Sequence, residues 1–126
     1  MTIVIDTSAL LAFIKREPGG DRVGPRIHEG IVSSVIFAET LSKLALQGFD
    51  DEAARADLLA AGLTVEPFGP DDVPGVVRLH SLALRGTSLA DRFCLALALD
   101  RNLPVLTADR PWADLGLPLQ IELIRA

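Results

Sequence analysis

The sequence predicts an α/β fold, a three-layer α/β/α sandwich around a mainly parallel, five-stranded sheet. Three observations carry this. Short apolar runs recur at residues 2–5, 30–33, 63–68, 103–107 and 119–124. Segments of helical length separate most of them, the alternation expected of parallel strands covered on both faces. Gly and Pro punctuate short elements, and no linker, repeat or low-complexity stretch divides the 126 residues, so a single domain over 1–126 is expected.

In order, residues 2–5 (Thr2-Ile3-Val4-Ile5) form a buried strand rich in β-branched side chains, ending at Asp6. Residues 8–15 are helix-compatible, capped by Asp6, Thr7 or Ser8 and stopped by Glu17-Pro18-Gly19-Gly20. Residues 21–28 make a short helix, and Gly30–Ser33 a second strand. Ser33 and Ser34 cap a helix through about Gln47, closed by Gly48. Asp50 starts a helix over 51–61 with Gly62 as its stop, followed by a strand at 63–68. Residues 71–85 are read as one helix, with Pro74 tolerated in the first turn. Leu89–Arg101 is the strongest helix, and 103–107 and 119–124 are the last strands.

Composition narrows the function classes. Hydrophobic residues make up 49% and charged residues 23%, a globular balance. The single cysteine makes neither an internal disulfide nor a cysteine-based zinc site, so a reducing, cytoplasmic setting is expected. The start Met1-Thr2-Ile3-Val4-Ile5-Asp6 has no basic leader region, and no membrane span or membrane partner is expected. A net charge of −5 argues against holding nucleic acid by global charge, but not against meeting phosphate through metal ions. Ten of the twelve basic residues are arginines, which suit bidentate phosphate contacts.

The chemistry points to four acids. Two strands lead into aspartate, at Ile3-Val4-Ile5-Asp6 and at Val105-Leu106-Thr107-Ala108-Asp109. In parallel sheets the ligand crevice lies beyond such strand ends. Two helices carry an acid among apolar residues in what reads as the first turn: Glu39 and Asp91. An unpaired carboxylate among apolar neighbours is costly, and a cation removes the penalty. Four clustered carboxylates raise one another's pKa, and oxygen-only ligation suits Mg²⁺ or Mn²⁺. Such ions activate water and stabilise phosphoryl displacement.

Together, the segments Val4-Ile5-Asp6-Thr7-Ser8-Ala9-Leu10-Leu11, Ala38-Glu39, Leu89-Ala90-Asp91-Arg92-Phe93-Cys94-Leu95-Ala96-Leu97-Ala98 and Val105-Leu106-Thr107-Ala108-Asp109-Arg110-Pro111-Trp112 resemble a PIN domain. They are most similar to VapC-type toxins of bacterial type II toxin–antitoxin modules. The resemblance runs through the whole chain in order. It implies a metal-dependent endoribonuclease with a five-stranded parallel sheet, usually a homodimer, whose products carry a 5′-phosphate and a 3′-hydroxyl. It implies that Asp6, Glu39, Asp91 and Asp109 are catalytic and bind Mg²⁺, with Mn²⁺ as the other candidate. Thr107 matches the family's small hydroxyl residue near the fourth acid, and Thr7 and Ser8 occupy its hydroxyl positions after the first. The implied partners are an RNA substrate and a cognate VapB-like antitoxin.

Plainer readings stand beside these. Asp6 serves equally as a helix cap when taken alone. Glu39 and Lys43, four apart, match a surface ion pair worth only ~0.3–0.5 kcal/mol. Asp109 reads as a turn residue, with Asp114 as its rival for the fourth position. Asp100 falls on the opposite helix face from Asp91. His28 and His80 are isolated, Cys94 reads as core before nucleophile, and Trp112 as a plug for the sheet edge before a stacking partner for a base. Arg92, Arg110, Arg16 and Arg22 are candidates for substrate phosphate or for plain solvated surface. Residues 41–46 and Leu58-Leu59 offer apolar surface for an antitoxin helix. The competing functions are a housekeeping RNA-processing nuclease and a non-catalytic PIN-fold RNA-binding or interaction module. A phosphoacceptor signalling domain needs a late lysine, and none follows Lys43.

Overall fold

A computed structural model describes residues Met1–Ala126. Five parallel strands form one sheet in the order β3-β2-β1-β4-β5, namely β1 (Ile3–Ile5), β2 (Gly30–Ser33), β3 (Thr64–Glu66), β4 (Val105–Thr107) and β5 (Ile121–Leu123). The helices are α1 (Thr7–Lys15), α2 (Gly20–Val23), α3 (Ser34–Leu46), α4 (Asp51–Ala60), α5 (Val73–Val77) and α6 (Leu89–Arg101). They cover both faces of the sheet, giving the three-layer α/β/α arrangement the sequence predicts.

The central strands are hydrophobic throughout because helices bury both of their faces. Ile3, Val4, Ile5, Val32 and Val105 are all at most 1% exposed. Leu10, Leu95 and Ala98 join them from α1 and α6 in one continuous core. The turn between α1 and α2 depends on its glycines. Gly19 has φ +88°, and a Cβ on Gly20 would meet the Ala12 carbonyl oxygen at 2.2 Å, so the two helices pack backbone to backbone there.

The chain runs outward through β1, β2 and β3, then returns to β4 on the other side of β1. The strand order therefore reverses between β1 and β4, the switch point where such sheets open a crevice at their C-terminal edge. In the register there, Val4 pairs with Val105 and Ile5 with Leu106, so both strands end at the same level.

Three expectations about elements need correction. Residues 71–85 are not one helix: a 3-10 turn (Pro70–Asp72), α5 and a second 3-10 segment (His80–Arg85) follow one another. Pro74, Gly75 and the β-branched Val73, Val76 and Val77 leave little intrinsic helix preference there. Residues 21–28 are split into α2 and a 3-10 segment (Gly24–Glu29) begun by Pro25. Glu39 lies in the second turn of α3, not the first.

Candidate functional site

Asp6 follows β1 directly and is 4% exposed. Its backbone is extended at the N-cap position of α1, and its side-chain partners are two hydroxyls, one at the helix start and one outside it. Its Oδ2 accepts from Ser8 Oγ (2.7 Å) and Thr107 Oγ1 (2.9 Å). Each hydroxyl in turn accepts a backbone N–H from the segment after β4: Ala108 N to Ser8 Oγ at 2.9 Å, and Asp109 N to Thr107 Oγ1 at 3.0 Å. Two amides, two hydroxyls and one carboxylate oxygen thus join the ends of β1 and β4. The carboxyl is pushed up to about 6, first by desolvation and then by the charge of Asp91, against the opposing hydroxyl bonds.

Glu39 approaches from α3. Its Oε1 accepts from Thr7 Oγ1 at 2.7 Å, and its Oε2 lies 4.0 Å from Lys43 Nζ. The surface ion pair is present only at the limit of contact, and the Thr7 bond fixes the carboxylate more closely.

Asp91 enters differently from the sequence expectation. Ser88 Oγ accepts from the Asp91 amide (3.0 Å), while Asp91 Oδ2 accepts from the Ser88 amide (2.8 Å), a reciprocal capping box that opens α6. The carboxylate is half-buried and has this backbone partner, so the cost argued from its apolar sequence neighbours does not arise in that form. Its charge still acts on the crevice, contributing to the raised pKa of Asp6, Asp109 and Cys94.

Asp109 is half-buried at the head of the 3-10 segment Arg110–Asp114. Burial raises its pKa first and Asp91 second, with Trp112 opposing. Asp114 is exposed, its backbone oxygen receives Arg85 Nη2 at 2.8 Å, and its charge is not among those acting on Asp6 or Asp109. The ion pairs of the molecule lie elsewhere or, for Glu39, at the rim: Lys15–Glu17, Arg26 with Glu29 and Glu122, Lys43–Glu39, and Arg101 with Glu66 and Asp100. Asp6, Asp91 and Asp109 face one another's field without a basic partner.

The PIN domain family matches residues 3–116, from β1 through the segment beyond Asp109. The chain belongs to the PIN domain family. No curated protein matches the sequence. Among the solved structures that share the fold, three are representative. One is a toxin–antitoxin complex from Klebsiella pneumoniae (TM-score 0.75, 16% identity, 98% of each chain covered). Another is VapC20 of Mycobacterium tuberculosis, described as a sarcin–ricin-loop-cleaving toxin (TM-score 0.74, 20% identity, 92% of this chain and 96% of that one). The third is VapBC2 of Rickettsia felis, bound to a DNA fragment from its promoter (TM-score 0.73, 16% identity, 97% of this chain and 98% of that one).

For this PIN domain, the implied Mg²⁺ or Mn²⁺ fits the donor chemistry: carboxylate and hydroxyl oxygens, with uncompensated negative charge. The side chains as placed do not form a ready group of three metal-holding residues. Asp91 is turned to its own helix start and Glu39 to Thr7, which accounts for two of the candidates. Cys94 is buried, with its thiol pushed up by that burial, and belongs to the core. Trp112, 2% exposed, is also core. His80 is exposed, with Nδ1 2.9 Å from the Val77 carbonyl, and His28 is exposed beside Glu29.

Arg92 directs Nε to the Ser88 carbonyl (3.2 Å), across the same helix start as Asp91. Arg16, Arg22 and Arg110 are exposed. A cleft of about 100 Å³ sits apart from the acids, walled by Phe68 and Phe93 and rimmed by Arg78, Arg101, Asp71 and Asp100. Its two phenyl rings meet edge-on at 4.4 Å. Asp100 lines this cleft, in line with its expected position away from Asp91. Sequence reasoning missed Thr40, which is fully buried with its hydroxyl 3.3 Å from Thr7 Oγ1. No spacing marks that contact, because the two residues lie on separate elements.

Proposed function

We propose that this PIN domain is a metal-dependent endoribonuclease, the toxin of a type II toxin–antitoxin module in the cytoplasm. The observation that carries the reading is electrostatic. At the strand-order switch, a buried Asp6 and a half-buried Asp109 both feel Asp91, and none of the three has a basic partner. Uncompensated carboxylates beneath a sheet's C-terminal edge are a natural seat for a divalent cation.

In this reading Asp6, Glu39, Asp91 and Asp109 hold Mg²⁺, or Mn²⁺ in its place. The bound ion supplies a nucleophilic water at neutral pH and charge stabilisation at the phosphorus. Ser8 and Thr107 orient Asp6, Thr7 orients Glu39, and Arg92, Arg110, Arg16 and Arg22 are the candidates for substrate phosphate. The toxin assignment follows the fold relatives, two of which are described as a toxin–antitoxin complex and an RNA-loop-cleaving toxin. The proposed partner is a VapB-like antitoxin, and the proposed assembly is a homodimer. Of the apolar surface expected to receive an antitoxin helix, Leu44 and Leu58 are buried. Leu46 (88% exposed), Leu59 (39%) and neighbouring Phe49 (40%) remain to form it.

The test is RNA cleavage by Asp6→Asn and Asp91→Asn as separate proteins with Mg²⁺. Each substitution keeps shape and removes charge. The expected fall is at least about 100-fold, since loss of supporting residues alone costs 10–100-fold at metal sites. Cleavage at the parental rate by either variant removes that residue from the mechanism. The engagement of Asp91 by the Ser88 amide and of Glu39 by Thr7 favours one other reading, a non-catalytic RNA-binding or interaction module. RNA binding by the parent with no Mg²⁺- or Mn²⁺-dependent cutting would establish it.

A further inference from the structure

We propose that Thr40 is a positioning residue for the acid assembly, holding Thr7 in the rotamer from which Thr7 fixes the Glu39 carboxylate. This deepens the proposed reading of the site and adds a residue that reading leaves out.

Proton accounting gives the direction of the chain. Thr7 has one hydroxyl proton, and the carboxylate of Glu39 can only accept, so that proton is committed to Glu39 Oε1 at 2.7 Å. At the 3.3 Å contact between the two threonines, Thr40 is therefore the donor. It shares its proton with the Ile36 carbonyl, 2.8 Å away. The hydroxyl lies wholly inside the protein, Thr40 being 0% and Thr7 4% exposed.

The helix itself gives little reason for a hydroxyl here. A side-chain bond back to the carbonyl four residues earlier adds a second donor to a group the helix ladder already uses, and such bonds slightly weaken helices. Valine has nearly the same shape and buries without a polar atom. What the hydroxyl adds is the link to Thr7, and through it to Glu39. That link opposes an outward pull, because Lys43 Nζ stands 4.0 Å from the other carboxylate oxygen, on a side chain 52% exposed. Without the Thr40 donor, Thr7 Oγ1 is free to turn, and Glu39 is expected to swing toward Lys43 and solvent.

The experiment compares Thr40→Val and Thr40→Ser with the parent, by calorimetric titration with Mn²⁺ alone, thermal melting, and crystal structures of the metal-free proteins. Thr40→Val is expected to weaken Mn²⁺ binding about 5-fold, less than the 10–100-fold typical of groups that touch a ligand directly. Its Glu39 is expected outside hydrogen-bonding distance of Thr7. Thr40→Ser, which keeps the donor, is expected to restore both. Parental Mn²⁺ affinity in Thr40→Val, whatever happens to its melting temperature, overturns the proposal. A parent that takes up no Mn²⁺ defeats the metal reading instead. In that case the position of Glu39 in the Thr40→Val crystal decides the Thr40 linkage alone: retention of the Thr7 bond overturns it and loss supports it.

Discussion

At the scale of single residues, Asp6 has the largest consequence, because its burial links the site to stability. Its carboxyl is raised from 3.8 to about 6 by desolvation. The sign follows from proton counts. Between about pH 4 and 6 the folded protein holds a proton that the unfolded chain has already released, so stability falls as pH rises through that window. Above it the full cost of the ionised form is in place, about 3 kcal/mol for a shift of this size. Asp6→Asn is therefore expected to melt at a higher temperature than the parent at pH 7.5 in chelator and to lose that advantage near pH 4. Thermal melts of both proteins across this range provide the check; identical pH profiles would mean that Asp6 is not buried as an uncompensated charge. Thr87 makes a smaller case of the same sign. It is 8% exposed and its Oγ1 has no hydrogen-bond partner. Thr87→Val removes an unpaired polar atom at nearly constant shape and is expected to raise stability by up to about 1 kcal/mol, measured by urea unfolding.

At the scale of elements, the crevice depends on how the ends of β1 and β4 are tied together. Ser8 is central to that tie, since it donates to Asp6 and accepts from the Ala108 amide. Ser8→Ala is expected to cost about 1–3 kcal/mol, because it strands a backbone donor and leaves Asp6 with one hydroxyl fewer. Faster hydrogen exchange at the Ala108 amide than in the parent is the local signature; unchanged protection there would show that the segment is held by other contacts. The same elements show what the sequence discloses. Helix Leu89–Arg101 is legible to the residue because Ser88 caps it and Asn102, in the left-handed region, ends it. The strand-terminal acids are legible because aspartate is a poor strand former placed where strands stop. The segment 71–85 was not, since its apolar spacing suits a helix while Pro74, Gly75 and three valines undermine one. Asp91 carried two signals at once. The Ser88-x-x-Asp91 spacing is a helix-start signature, and the apolar sequence around it masked how the carboxylate is satisfied.

At the scale of the whole molecule, the fold gathers negative charge that the chain alone does not neutralise, in a protein already at −5. A cation that binds the folded form and not the unfolded one adds stability as RT ln(1 + [L]/Kd), about 2.7 kcal/mol at a hundredfold excess over Kd. For a domain of 126 residues that corresponds to a rise in melting temperature of about 10 °C. Mn²⁺ is therefore expected to raise the melting temperature of the parent at pH 7.5, and the rise should shrink below about pH 6 as protons compete for Asp6. Asp6→Asn should show little of the rise at either pH, since it lacks the buried charge. Together these melts separate causes that a single one would confuse. A gain shared equally by parent and Asp6→Asn would mark diffuse screening of surface carboxylates, whereas a gain confined to the parent and lost with acid places the cation at the end of β1. No gain in the parent at pH 7.5 would mean that these acids, though drawn to one edge of the sheet, do not form a metal centre.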